Sequence, residues 1–501
     1  MNKNYLIIIS IIMAIFTIKS CRGQDNPEQK DISYRPATVA GSFYPSDPEI
    51  LKKMIEEYLD ISSPIKVNKK IIGIIAPHAG YIYSGKVAGS VYREVRNQEY
   101  DDIIIIAPSH QVSFRGASVF DGDAYTTPLG IVNVDKHLAK EIASDNENVI
   151  LSRNGHSWTE GNPEHSLEVQ LPFIQISLPN KPIVPIIMGS QDFSTADALM
   201  RSIVKAVKKL NKNVLLVAST DLSHFHDITT AKSLDSNIIE DFIRFDYFKL
   251  SYYLFTHQWE ACGGGPVVVV MMASEQLGAT KAINLAYATS GDVPAGAKNK
   301  DRVVGYMSGA LIVDQENPKD KLPKLTNEDK EYLLSLAKQS VKNTVTNKKM
   351  SLALKENDSL LEKYAAFVTI TKYGELRACM GHTFASEPLI KEIESSASMA
   401  STQDYRFGPI ESNELKDLDY EISILSRMRR ILNTNEIEIG KHGLYIRYGR
   451  NSGLLLPQVA SERNWDVETF LKHICLKAGL PTDTYIKPDA ELYVFTALII
   501  H

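Results

Sequence analysis

Cysteine is scarce in this chain. Four in 501 residues exclude a dense disulfide framework, although a single bridge stays open. An excess of basic charge is also missing: 55 Lys and Arg face 60 Asp and Glu, leaving a formal net of −5 and no basic stripe. Nucleic-acid binding by phosphate neutralisation is therefore disfavoured at the scale of a domain. Long hydrophobic runs are reduced to one, Tyr5 to Ile18, shorter than the roughly 20 residues a spanning helix needs. Nor is any long stretch short of apolar residues, since 44% hydrophobic and 23% charged is the balance of a chain that buries a core. At this length one core is not enough, and two large domains fit best.

The single apolar run is preceded by Met1, Asn2 and Lys3 and followed by Lys19, Ser20 and Cys21, the shape of a signal peptide over residues 1–20. Ile18-Lys19-Ser20-Cys21 resembles a bacterial lipoprotein box, which implies lipidation of Cys21. Plain secretion and an uncleaved anchor are the alternatives. A polar tether over 21–33 follows, so the expected location is an exported, membrane-anchored lipoprotein that meets the membrane through its lipid alone. With Cys21 so used, Cys262, Cys379 and Cys475 remain, an odd number that leaves at least one thiol for a ligand or packing role.

From Lys69 onward, β-branched runs alternate with longer amphipathic stretches, the pattern of an α/β domain with a central sheet covered by helices. Ile71 to Ala76, Ile103 to Ala107, Ile183 to Met188 and Val214 to Ala218 read as buried strands. Three of them run into Pro77-His78-Ala79-Gly80-Tyr81, Pro108-Ser109-His110 and Ser219-Thr220-Asp221-Leu222-Ser223-His224. In such sheets ligands collect beyond the carboxyl ends of the strands. A helix is expected from Cys262 or shortly after, where Gly263-Gly264-Gly265-Pro266 opens an apolar stretch. Asn284 to Ala288 and Val303 to Ile312 complete this domain. The Pro-containing segment 314–326 reads as a linker. A second domain then begins with a helix over Asn327 to Asn343 and a strand over Ala365 to Thr371, and no repeat relates it to the first.

His78, His110, Cys262, Asp221 and His224 form a set of nitrogen, thiolate and carboxylate donors of the kind a borderline divalent metal prefers. Singly, each has a plainer reading: a hydrogen-bonded surface His, a capping Asp, a small buried Cys. Glu164 and His165 beside the next helix start are candidates for positioning or acid–base work, or for capping and packing. His224 next to Asp221 is a candidate general base.

Taken together, Arg35-Pro36-Ala37, Ala40-Gly41-Ser42-Phe43-Tyr44-Pro45, the three strand-end motifs, Glu164-His165-Ser166-Leu167-Glu168 and Cys262-Gly263 resemble the MEMO family over residues 34–313. The resemblance implies a fold similar to the extradiol-type non-haem iron dioxygenases. It also implies His78, His110 and Cys262 as metal ligands, most plausibly for iron, with Asp221 and His224 in the same cavity. Where those dioxygenases use two histidines and a carboxylate, this chain would use Cys262. That points away from ring cleavage and toward iron binding, reductive oxygen chemistry or another redox role on a small organic or peptide-like ligand.

In the second domain, Leu376-Arg377-Ala378-Cys379-Met380-Gly381, Asp404-Tyr405-Arg406-Phe407 and Gly453-Leu454-Leu455-Leu456-Pro457-Gln458 resemble the α+β AMMECR1 family over 327–501. The family pattern has Gly where Ala378 stands. Cys379 beside Arg377 is a candidate nucleophile with His382 as its base; the plainer reading is a buried cysteine with Arg377 bound to a carboxylate. Both resemblances on one chain match the fused first two components of the AmmeMemoRadiSam system. A radical SAM enzyme is the implied partner, which fits awkwardly with export. An iron-dependent oxidoreductase is the leading expectation. A surface-anchored binding or scaffold protein and a metal-handling protein are the alternatives.

Overall fold

The computed structural model describes residues 33–60, 66–144, 146–156, 163–315, 320–348 and 357–501. The expected leader, Cys21 and all but the last residue of the tether lie outside the described residues. No described helix is long and apolar enough to cross a membrane.

Nine strands form the central sheet of the first domain. From one edge the order is His224–His226, Val303–Ile312, Ile71–Ala76, Val214–Ser219, Asp102–Pro108, Ile183–Met188, Ala117–Phe120 and Val149–Ser152, with Lys281–Thr289 also paired to Val303–Ile312. The four strands from Ile71–Ala76 to Ile183–Met188 are mutually parallel, and every residue in them is buried. Cover on both faces explains why they read as unbroken apolar runs instead of alternating ones.

The expected helix after Cys262 spans Gly264–Gln276 and is buried from Gly264 through Glu275. It packs on the strands Ile71–Ala76, Val214–Ser219 and Asp102–Pro108 and is covered in turn by the helices Phe193–Lys209 and Tyr247–Phe255. An element enclosed in this way has no polar face to show.

The second domain is α+β. One antiparallel sheet runs in the order Glu375–Gly381, Ala365–Lys372, Leu418–Leu425, Ala497–Ile500, and the helices Asn327–Val345 and Leu389–Thr402 close over its Val368, Ile370 and Ile422 face. The first of these helices starts where Thr326 and Asp329 cap each other's backbone N–H groups. A second sheet, Arg429–Arg430, Glu491–Phe495, Gly443–Tyr448, Asn451–Leu455, packs on the helix Val467–Lys477. The linker does not hold two separate bodies apart. Tyr493 and Phe495 join the apolar core of the first domain, and the buried Arg430 pairs with the buried Asp197 at 2.8 Å.

Candidate metal centre

Three adjacent parallel strands end on one edge of the sheet, so His78, His110 and Asp221, each within two residues of a strand end, arrive side by side. The segment ahead of Glu168 brings a further imidazole. His78, His110 and His165 each offer a ligand atom within 4.8 Å of the other two. The His110 and His165 rings stack at 4.8 Å, and His78 stands edge-on to them at 5.2 and 5.4 Å.

Hydrogen bonding decides which nitrogen each ring presents. The Ser219 hydroxyl donates to the Ser166 carbonyl at 2.6 Å, so toward His78 it acts as acceptor, and His78 Nδ1 donates to it at 2.9 Å. His110 Nδ1 lies 3.0 Å from Glu164 Oε1. Burial works against the Glu164 carboxylate, but hydrogen bonds led by that from His110 outweigh it and hold the group down at about 2. An ionised carboxylate can only accept, so His110 also carries its proton on Nδ1. In both rings Nε2 is the nitrogen left for a ligand. A carboxylate behind an imidazole is the arrangement that orients metal-binding histidines.

Burial, and then the neighbouring imidazoles, lower His78 well below its ordinary value, and burial with His110 lowers His165 to about 4. Both rings are neutral near pH 7 and ready to donate.

Cys262 is outside the three-histidine group but touches it, with Sγ 3.1 Å from His78 Nε2. A nitrogen and a sulfur bound to one divalent ion at about 2.1 and 2.3 Å, at right angles, stand about 3.1 Å apart. The three histidines could hold a borderline metal, and the expected ligand Cys262 stands beside them, not among them. Burial, then the Asp221 carboxylate, pushes the Cys262 thiol up, so ionisation there calls for a nearby positive charge.

Two residues hold this corner, and of them Gln191 was not expected from the sequence. Gln191 donates to the Cys262 carbonyl at 2.7 Å and accepts from the Gly265 N–H at 2.8 Å. Gly263 lets the turn press on the strand, because a Cβ there would lie 2.2 Å from the Ser219 carbonyl oxygen. Gln170, which donates to Ser219 at 2.8 Å, was missed as well. Neither glutamine has a local sequence signal; they act across 49 to 74 residues.

Glu168 forms a clasp. Its buried carboxylate takes the Arg35 guanidinium, the Thr38 and Val39 N–H groups and the Tyr44 hydroxyl, fixing the segment that carries Glu164 and His165.

The expected Asp221–His224 pair is not made. Asp221 turns inward and accepts the His78 backbone N–H at 2.8 Å, and burial pushes its carboxyl up to about 7. His224 instead lies on a short strand paired to Val303–Ile312, and its Nδ1 donates to the Leu222 carbonyl at 2.7 Å. Both remain near the histidines, but the carboxylate does not orient the His224 ring.

The second-domain trio comes apart. Thr369 donates to Cys379 Sγ at 3.3 Å on the sheet face opposite Val368 and Ile370, whereas His382 Nδ1 meets Glu392 of the covering helix at 2.8 Å. Residues three apart along a strand point to opposite faces, so His382 cannot serve Cys379 as a base. Arg377 is bound to Glu414 at 2.9 and 3.1 Å and to the Gly408 and Pro409 carbonyls. The cation near the thiol is Arg406 instead, and burial still raises Cys379. Among the described residues no bridge joins Cys262, Cys379 and Cys475 to one another.

Comparison with known proteins agrees with this division. Over 285 residues the chain is 37% identical to a MEMO1 family protein of Methanobrevibacter smithii, spanning 55% of this chain and 98% of that one. A MEMO1 family protein of Methanocaldococcus jannaschii is also 37% identical, over 291 residues, 55% of this chain and 98% of its own length. Among solved structures, an uncharacterized protein of Pyrococcus horikoshii is 34% identical, covering 35% of this chain and 92% of that chain at a TM-score of 0.34. The AMMECR1 family model matches residues 334–500 and the model described as Memo-like protein matches residues 35–310. With the latter match extending over more than half of its length, the chain belongs to the Memo-like family and carries an AMMECR1 domain behind that unit.

Proposed function

We propose that the protein binds one iron ion through His78, His110 and His165, with Cys262 as a further donor, and uses it in redox chemistry on a small organic or peptide-like substrate. One observation carries the reading: three imidazoles converge within 4.8 Å, and in two of them Nδ1 is engaged by a neighbour, which leaves Nε2 for a ligand. Imidazole and thiolate together suit iron among the borderline metals, and bound iron would supply one-electron and oxygen chemistry. The residues of the chain do the rest. Glu164 and Ser219 hold the rings in place. His224, its Nδ1 spent on Leu222, has Nε2 left to take or give a proton at a bound substrate.

Metal analysis of anaerobically purified protein tests the binding, with near-stoichiometric iron expected in the parent and loss of most of it in His78→Ala. Absence of metal from the parent after iron reconstitution rejects the proposal. Oxygen consumption in the presence of a reductant separates turnover from storage, and a loaded but inactive protein favours metal handling. We also propose attachment at the membrane surface through Cys21, tested by incorporation of labelled fatty acid and its loss in Cys21→Ala. The AMMECR1 domain supports a pathway shared with a radical SAM enzyme.

A further inference from the structure

A cavity of about 590 Å³ opens beside the histidine group, and both Cys262 and His224 line it. Its charge is one-sided. Asp192 and Glu260 contribute carboxylates, His224 and His257 imidazoles, and among the described residues no lysine or arginine lines the cavity. Leu254, Phe255 and Trp259 supply an apolar wall. Nearby cations are engaged elsewhere. Lys249, 5.4 Å from the centre of the Trp259 ring, is buried and bound to Asp241 at 3.0 Å and to the Ala385 carbonyl at 3.1 Å. Arg302 is stacked on Phe225 at 5.0 Å and does not line the cavity.

The two carboxylates are not equivalent. Asp192 caps the helix Phe193–Lys209 by accepting the Thr195 N–H at 2.9 Å, so part of its charge is met by the helix terminus. Glu260 is half exposed and, among the described residues, pairs with His226 Nε2 at 2.8 Å. A cavity with acidic groups, an apolar wall and no fixed cation selects ligands by charge. Carboxylates and phosphates are repelled, and a positively charged group on an apolar body is favoured on both counts. The geometry points to a small organic amine, its ammonium toward Glu260 and Asp192 and its apolar part against Trp259 and Phe255, as the class of substrate brought to Cys262 and His224.

This inference rests on the proposed metal site only for the fate of the ligand; the charge preference belongs to the cavity. It is tested by calorimetric titration of the full chain, metal-free and iron-loaded, with benzylamine, benzyl alcohol and benzoate. Benzylamine is expected to bind tightest and benzoate weakest in both forms. Glu260→Gln should weaken benzylamine roughly two- to fivefold, the scale of a half-exposed charge pair, and leave benzyl alcohol unchanged. Asp192→Asn together with Glu260→Gln keeps a helix cap and should remove most of the preference. Equal binding of the three compounds, tighter binding of benzoate, no binding of any, or a preference that survives the double variant overturns the inference. Charge preference in a protein that takes up no iron leaves this inference standing and removes the metal reading. Iron uptake without charge preference does the reverse.

Discussion

The histidine group of the first domain and the Cys379 region of the second begin from similar material, reactive residue types at or just beyond the end of a strand, and differ in what the sheet does with them. In the first domain the strands are parallel neighbours, so residues from separate loops reach one edge, and the polar partners behind them are spent on orientation: Ser219 on His78, Glu164 on His110. In the second, Arg377 and Cys379 lie on one strand of an antiparallel sheet and His382 follows directly after it. Alternation sends Cys379 to one face and His382 to the other, and Arg377 is consumed by Glu414. Proximity in sequence proved a poorer guide to a site than adjacency of parallel strands.

The comparison breaks most readily at the first region. His78→Ala should remove most of the bound iron, since it removes a buried donor that also touches Cys262 Sγ, and elemental analysis after reconstitution checks it. Full retention would place the ion elsewhere. Glu164→Gln keeps the shape but weakens the hold on His110, and competition with a chelator should show metal affinity lower by roughly 10- to 100-fold. An unchanged affinity would make Glu164 a packing residue.

The second region should respond in stability instead of chemistry. Glu414, below its ordinary 4.5 at about 2 through Arg377 first and the Glu411 backbone next, binds a proton less readily folded than unfolded. Its contribution is therefore complete at neutral pH, falls once the pH drops below 4.5 and is gone near 2. The melting temperature of Glu414→Gln should lie below that of the parent at pH 7, and the two should converge on acidification. A constant gap would deny the ion pair its role. The smallest expected effect is none: His382→Ala should leave the alkylation rate of Cys379 within about twofold, because no side chain is shared between them and distant sites act independently. A marked slowing would restore the dyad and erase the contrast between the two regions.

Much was legible beforehand. The β-branched runs located the parallel strands to within a residue, because a sheet covered on both faces demands unbroken apolar sequence. The Pro-His and Pro-Ser-His junctions marked the working edge for the same reason. In the second domain the plainer reading, Arg377 bound to a carboxylate, is the one observed, and a spacing of three already separates Cys379 from His382. Gln170, Gln191 and the function of Ser219 could not be read, because they act on partners brought close only by folding.

Sequence alone determined the order of two domains, the α/β character of the first, the sheet edge that carries the site and the residue types available there, because these follow from local periodicity and from the covalent order of strand and loop. Tertiary structure decided which side chains meet. It set His165 beside His78 and His110, turned Asp221 away from His224, and bound Arg377 to Glu414. Those outcomes depend on hydrogen bonds and burial between segments far apart in the chain, where a side chain's role is set by the partner that folding delivers to it.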